Sequence, residues 1–269
     1  KVFRDGEAGR RHEPEFTLLE WYRRDCTLRA LADESCELIA TLASVVGRQL
    51  AAPVYLSYRE LFLSATGIDP LGADAVMLRN CAREALGSSL DTGLENRLGD
   101  DVDAWRDLLM SHAVSKHLAA TELAVVSAYP ASQAALARID PTDGRIAERF
   151  EIFCAGLEVA NGYRELRDAE EQARRFSSDR AARARLGRPA VMPDRALLAA
   201  LATGLPDCAG VAVGFDRVLM FLLGLPDIQS QLQAACEGDW SLERCMLVGE
   251  RIWNLEREFN LRAGFTGKD

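Results

Sequence analysis

Between residues 28 and 45, apolar side chains recur at helical spacing: Leu28, Leu31, Leu38, Leu42 and Val45 share one stripe, with Ser35 filling its gap. The period changes on either side. Residues 1–25 read as strand, loop and strand. Phe16, Leu18 and Glu20 alternate with Thr17, Leu19 and Trp21, which predicts a strand buried or nearly so on both faces. Gly6, Gly9 and Pro14 break regular structure in the loop. Downstream, helices are predicted over 57–65, 72–84 and 102–118, and strands over 122–129, 148–155 and 157–165, the last two joined by a tight turn at Gly156. A charged helix follows at 167–186, another at 193–202, a strand of small residues at Ala209–Gly214, and a helix from Phe215 to Leu223. Cys245, Val248, Ile252, Leu255 and Phe259 then step by 3, 4, 3 and 4, one long amphipathic helix with Gly264 as its stop. Clustered helices and adjacent strands, without regular strand–helix alternation, predict an α+β fold. No internal repeat is present.

Composition narrows the function classes. The 269 residues are 48% hydrophobic and 27% charged, an ordinary globular balance. Acidic residues number 41 against 32 basic ones, for a net charge of -9. That field offers no general attraction to nucleic acid or to an anionic membrane. Only a local basic pocket stays open to an anion, since screening acts over about 8 Å. The seven cysteines are odd in number, form no CxxC and have no histidine at ligand spacing, which argues against zinc and for a reducing cytoplasm. No apolar run reaches transmembrane length. A start at Lys1 without Met, inside an apolar stretch, reads as a fragment, and the texture divides the chain into 1–225 and a helical tail at 226–269.

Three separated segments carry candidate chemistry. In the first, Phe3-Arg4 leads through the loop to Arg11-His12 and then to Phe16 and Glu20. An arginine at a strand end presents a fixed fork of donors suited to phosphate or carboxylate, and Phe16 offers a flat face to a base. In the second, Glu158 and Glu165 flank Asn161-Gly162 in or beside a strand that otherwise reads as buried. Buried carboxylates need cations. Mg²⁺, a substrate ammonium or two structural ion pairs would serve equally. In the third, Gly210-Val211-Ala212-Val213-Gly214-Phe215-Asp216-Arg217, small residues admit a ligand close to the strand and Arg217 opens a helix. Each segment alone is an ordinary structural pattern.

Taken together and in order, FR…RHxPEF, ExxNGxxE and GxxxGxDR resemble the active sites of class II aminoacyl-tRNA synthetases. The first segment is similar to motif 2 and the third to motif 3. The text PEFTLLEWYR, YPASQAALA, DGRIAERFE, ANGYREL and LPDCAGVAVGFDR resembles the lysyl-tRNA synthetase branch. More narrowly, it resembles the elongation factor P–(R)-β-lysine ligases, paralogues without an anticodon domain, over residues 2–223. The resemblance implies an antiparallel sheet flanked by helices, ATP and Mg²⁺ as cofactors, (R)-β-lysine or lysine as substrate, elongation factor P as acceptor, and a homodimer in the full-length family.

Roles follow residue by residue. Arg4 would contact the ATP α-phosphate and the amino-acid carboxylate, with Asp5 and Gly6 beside the nucleotide and His12 and the Arg10/Arg11 loop near the polyphosphate. Phe16 would stack on adenine, Glu158 and Val159 would border the nucleotide, Gly214 would line its site, and Arg217 would contact the γ-phosphate. Tyr22 and Glu165 would bind the substrate's amino groups. Glu158 would hold Mg²⁺, shared with Glu165, with Asn161 beside it. Ala212 stands where lysyl-tRNA synthetases resemble one another in having glycine, and its added methyl would reshape the pocket toward a β-amino acid.

The chain also departs from the pattern. Glu13 stands where these families usually have Asn, and Gly6 where many relatives are acidic. Motif 1, the main dimer contact, should precede Lys1; the chain therefore reads as N-terminally truncated, with a sheet edge and an apolar face exposed, and as weak or inactive by itself. The tail, about 231–269, resembles instead the C-terminal end of tungsten aldehyde:ferredoxin oxidoreductases, but without cluster cysteines or pterin loops, so no tungsten, pterin or iron–sulfur cofactor is inferred. A lysyl-tRNA synthetase catalytic fragment and an inactive truncated or chimeric module are the competing readings.

Overall fold

The computed structural model describes residues 1–4, 9, 12–185 and 187–227, with isolated positions 247, 251, 258 and 262. Asp5, Gly6, Arg10, Arg11 and the predicted tail helix lie outside the described residues.

The chain opens with two short paired strands, β1 (Val2–Phe3) and β2 (Glu15–Phe16), which close the base of the 4–14 loop. β3 (Leu18–Arg24) follows, then α1 (Leu28–Val45), whose N-cap Thr27 accepts from the Ala30 N–H at 3.1 Å. The next stretch holds β4 (Val54–Ser57), α2 (Tyr58–Thr66), α3 (Ala75–Leu86), α4 (Thr92–Leu98) and α5 (Val102–His112). β5 (Ala124–Pro130), β6 (Ile146–Cys154) and β7 (Leu157–Arg164) come next, then α6 (Ala169–Arg185), α7 (Arg195–Thr203), β8 (Cys208–Gly214) and α8 (Phe215–Leu223). Ala155 and Gly156, at φ 48° and 77°, make the left-handed turn expected between β6 and β7.

Six strands form one sheet in the order β3-β8-β7-β6-β5-β4. All its pairings are antiparallel except β4 with β5, so the sheet is mixed rather than antiparallel throughout. The parallel pair exists because α2 to α5 carry the chain back to the same end of the sheet before β5 begins. The sequence pattern reveals neither β4 nor α4. Four residues after Pro53 carry too little periodicity to separate a strand from the helix that follows.

Three further expectations are corrected. β3 is not buried on both faces: it is the sheet edge, with Leu19 45% and Tyr22 65% exposed. Alternation reports a two-faced strand but not its place in the sheet. On α1 the buried face is Leu31, Ala32, Ser35, Cys36, Ile39 and Ala43, rotated from the predicted leucine stripe, and Val45 is 78% exposed. Small residues let this helix approach the sheet closely. The helix expected at 102–118 ends at His112, and Val114–Leu118 is a 3₁₀ turn.

The two faces of the sheet have different fates. On one, Phe150, Ile152, Ala160, Val211 and Val213 pack on α1 and on Val218 and Leu222 of α8. Gly162 makes room there, since a Cβ at that position would lie 2.4 Å from the Phe150 ring. On the other face, α2, α3 and α5 cover the β4–β5 end through Tyr58, Phe62, Leu78, Trp105 and Leu109 packed on Ala124, Val126 and Tyr129. The β7, β8 and β3 part of that second face carries the candidate site.

Candidate active site

Cross-strand register builds the site in rows. Glu20, Ala212, Asn161 and Glu151 lie opposite one another across β3, β8, β7 and β6. The neighbouring row is Tyr22, Gly210, Tyr163 and Arg149. Directly opposed residues share a face. Glu158 joins this face through a shift of register: Ile152 pairs with Ala160 but Phe153 with Glu158, so β7 carries one extra residue there.

Most of the residues expected at the nucleotide meet in a cleft of about 400 Å³. Arg4, His12, Phe16, Glu158, Val159, Gly214 and Arg217 line it, and so do Asn161 and Ala212, which were expected at the amino-acid substrate. Their contacts are specific. Arg217 donates from Nη1 to the Glu158 carbonyl at 2.9 Å and from Nη2 to Nε2 of His12 at 2.8 Å. Its guanidinium is also 3.8 Å from the Glu158 carboxylate. Arg4 lies over the Phe16 ring at 5.2 Å, and its N–H donates to the Pro14 carbonyl at 2.8 Å. Asp216, which the motif reading left without a role, accepts from the Thr17 N–H at 2.8 Å, while Phe215 N–H donates to the Thr17 carbonyl at 3.0 Å. These two bonds tie the start of α8 to the residue after Phe16.

A second group gathers at Gly210. A Cβ there would lie 2.5 Å from Oε1 of Glu165 and 2.5 Å from the Tyr22 ring, so the missing side chain lets the two meet. Burial pushes the Glu165 carboxyl up to about 7. Partial desolvation of the hydroxyl on the side facing the sheet, and then the charge of Glu165, raise the Tyr22 phenol.

The expected partnership of Glu158 with Glu165 is not what the geometry brings together. Glu165 sits against Tyr22 and Gly210, whereas Glu158 borders the nucleotide cleft and has Glu151 as its acidic neighbour. Glu151 is a residue the motif reading missed. It is buried, accepts from the Tyr129 hydroxyl at 2.6 Å, pairs with Arg149 and receives the Asn161 amide at 3.4 Å. Burial, and after it the charge of Glu158, hold its pKa above the usual carboxylate range. Arg149 completes the network, donating to the Gln133 carbonyl at 2.7 Å and to Oδ1 of Asn161 at 3.3 Å. The signal for Glu151 was an acidic residue inside an apolar strand, visible only once Asn161 stands opposite it.

Among the described residues no three His, Cys, Asp or Glu side chains form a ready-made metal cage. Glu158 on the cleft, with Glu151 as its acidic neighbour on an adjoining cavity, fits Mg²⁺ nonetheless, because this ion keeps its waters and takes one or two carboxylates together with substrate phosphates. Among the same residues no helix is long and apolar enough to cross a membrane.

The family described as tRNA synthetases class II (D, K and N) matches residues 1–233, and the chain belongs to it. That membership implies the use of ATP. Within the family, the chain is similar to elongation factor P–(R)-β-lysine ligases. It is 44% identical to that of Salmonella typhi over 224 residues, covering 83% of this chain and 66% of the relative. It is 44% identical to that of Klebsiella pneumoniae strain 342 over 228 residues, 85% and 67% of the two chains. It is 40% identical to that of Avibacterium paragallinarum over 237 residues, 88% and 70%. The chain thus spans about two thirds of the length of these relatives.

Proposed function

We propose that this protein is an ATP-dependent ligase that activates (R)-β-lysine as an aminoacyl-adenylate and transfers it to a lysine ε-amine of elongation factor P. The observation that carries the reading is the meeting of Arg4, Glu158 and Arg217, from three distant segments, in one cleft. In the first step the substrate carboxylate oxygen attacks the α-phosphorus of ATP. An O–P bond forms, the bond to the bridging oxygen breaks, and pyrophosphate leaves. No general base is required, since the nucleophile is already ionised; positioning and charge stabilisation do the chemistry. Arg4 holds the α-phosphate and carboxylate, Arg217 and His12 hold the outer phosphates, and Phe16 stacks on the base. Tyr22 and Glu165 hold the amino groups of the substrate. Glu158 and Glu151 would hold Mg²⁺, which supplies countercharge to the phosphates when bound. In the second step the acceptor ammonium releases a proton and its nitrogen attacks the acyl carbon. The C–N bond forms, the acyl C–O bond breaks, AMP leaves, and the second proton goes to solvent.

Ala212 favours this substrate over α-lysine in the same family. Its methyl lies in register between Glu20 and Asn161, where it narrows the floor under the substrate. The experiment is ATP–pyrophosphate exchange with (R)-β-lysine and with L-lysine, followed by mass spectrometry of elongation factor P and by charging of lysine tRNA. Exchange with (R)-β-lysine and modified elongation factor P support the reading. Charged tRNA with unmodified elongation factor P would replace it by a synthetase, and no exchange with either amino acid would replace it by an inactive module.

A further inference from the structure

After β5 the chain makes a 3₁₀ turn at Ala131–Gln133 and then a tight turn from Ala134 to Ala137, closed by the Ala137 N–H on the Ala134 carbonyl at 2.7 Å. Ala134 and Ala137 are buried, at 2% and 0%, and pack with Ala147 and Tyr163. Leu136 lies between them in sequence, yet it stays 43% exposed and lines the nucleotide cleft. A leucine turned out of an apolar cluster toward an open cleft forgoes burial that its neighbours obtain.

The turn is held in that form against its own preference. Ala135 has φ 49°, in the left-handed region that glycine occupies freely and alanine rarely does. Arg175 of α6 spans the turn, its Nη1 donating to the carbonyls of Ala135 and Ala137, each at 2.8 Å. The Leu136 carbonyl accepts from the Leu166 N–H at 2.9 Å, and Ala137 forms an antiparallel bridge with Glu165. Backbone strain persists only where the surroundings over-determine it, and it gathers at ligand sites. The same bonds fix which end of the cleft Leu136 borders. It stands beside the residues just past β7, next to Glu165, whereas Phe16 and Arg217 lie toward the other end, where Leu18 pairs with Gly214.

An amino acid with its carboxylate at Arg4 and its amino groups at Tyr22 and Glu165 must cross this part of the cleft with methylene groups. Methylenes gain nothing from a polar wall, and Leu136, with Tyr163 and Ala212, supplies an apolar one. We propose that Leu136 is a substrate-contact residue whose side chain packs on the methylene chain of the amino acid, so that the substrate covers the leucine that the protein leaves open. The inference rests on the ligase reading above and deepens it: that reading gives the charged ends of the substrate their partners, and Leu136 gives one to the chain between them.

The test is calorimetric titration of the wild-type protein, Leu136→Ala and Leu136→Met with (R)-β-lysine, with L-lysine and with ATP, alongside melting curves. Leu136→Ala is expected to weaken (R)-β-lysine about ten-fold, since it strips carbons from an apolar wall, and to leave ATP within about two-fold. Leu136→Met conserves volume and should hold (R)-β-lysine within about three-fold of wild type. Both variants should melt within about 3 °C of wild type, because the side chain is nearly half exposed. Wild-type affinity for the amino acid in Leu136→Ala would overturn the proposal. So would an equal loss for ATP, or a loss for ATP alone, which would make the leucine a wall of the nucleotide site. A larger drop in melting temperature also overturns it, by showing that the leucine serves the protein's own packing. The ligase reading fails separately. Tighter binding of L-lysine than of (R)-β-lysine, with the same loss in Leu136→Ala, sinks that reading and leaves Leu136 as the contact to the chain. Binding of ATP with neither amino acid ends both.

Discussion

Arg217 donates to Nε2 of His12 at 2.8 Å across 205 positions of sequence. The bond makes the first turn of α8 and the loop between β1 and β2 two walls of one cleft. Because His12 accepts at Nε2, its proton is on Nδ1, and the imidazole orients the guanidinium rather than competing with it for anions. Replacing Arg217 by alanine is expected to lower the pyrophosphate-exchange rate by about 10²–10³-fold, the usual effect of losing a preorganised charge donor. Lysine at this position should rescue only part of that loss, because one ammonium cannot reach His12 and the Glu158 carbonyl together in the same fork. Steady-state exchange of both variants measures it.

Asp216 acts through the backbone. Its carboxylate receives the Thr17 N–H, one residue beyond the ring expected to stack on adenine. Asp216→Ala should raise the KM for ATP about ten-fold, in line with loss of a hydrogen bond to a charged group, while Asp216→Asn, which keeps an acceptor oxygen, should recover most of it. ATP saturation curves at fixed amino acid distinguish the two variants.

The Gly210 position sets the contact of Tyr22 with Glu165. A methyl at 2.5 Å from both must push them apart. Gly210→Ala is expected to raise the KM for the amino acid well beyond that for ATP, at an overpacking cost of about 1–3 kcal/mol. Equal changes in both constants would show that the substitution disturbs the whole cleft and not this subsite.

Glu165 gives the site a pH dependence with a definite sign. Its carboxyl, held up to about 7 by burial, is protonated below that pH and cannot pair with an ammonium. Amino-acid affinity should therefore fall as pH drops through 7, approaching ten-fold per pH unit on the acid side, and Glu165→Gln should abolish the dependence at a uniformly weaker affinity. Stability runs the other way. A carboxylate whose pKa is raised from 4.5 in the folded state favours folding when protonated, so this contribution is present at low pH and is lost between about pH 4.5 and 7. Binding titrations and urea melts from pH 5.5 to 8.5 follow the two effects separately.

Gly162 tests the packing beneath the site. A Cβ there meets two carbons of the buried Phe150 ring at 2.4 Å. Gly162→Ala is expected to destabilise the protein by about 1–3 kcal/mol or more in urea denaturation, because the ring is enclosed and cannot swing aside.

Local chemistry was enough for several of these features. The left-handed turn at Gly156, the short strand of small residues before α8 and the limits of α8 itself were all legible, because glycine conformation and apolar spacing act over a few residues. The family resemblance of three ordered motifs, not the residue types alone, grouped Arg4, His12, Phe16, Glu158, Gly214 and Arg217 as a candidate nucleotide site before any fold was known, and one cleft contains them all. Other features depended on which strand lies beside which. β3 became an edge, and β4 became a parallel partner of β5, through long-range pairing that no local period encodes. Glu151 and Arg149 entered the site through cross-strand register, which also set Gly210 against Tyr22, and one extra residue in β7 put Glu158 beside Glu151. The sequence by itself determined the chemical inventory, since donors, acceptors and turns are properties of residues and their near neighbours. The tertiary structure alone decided the partnerships, since a shift of one position in a strand moves a side chain from one face of the sheet to the other.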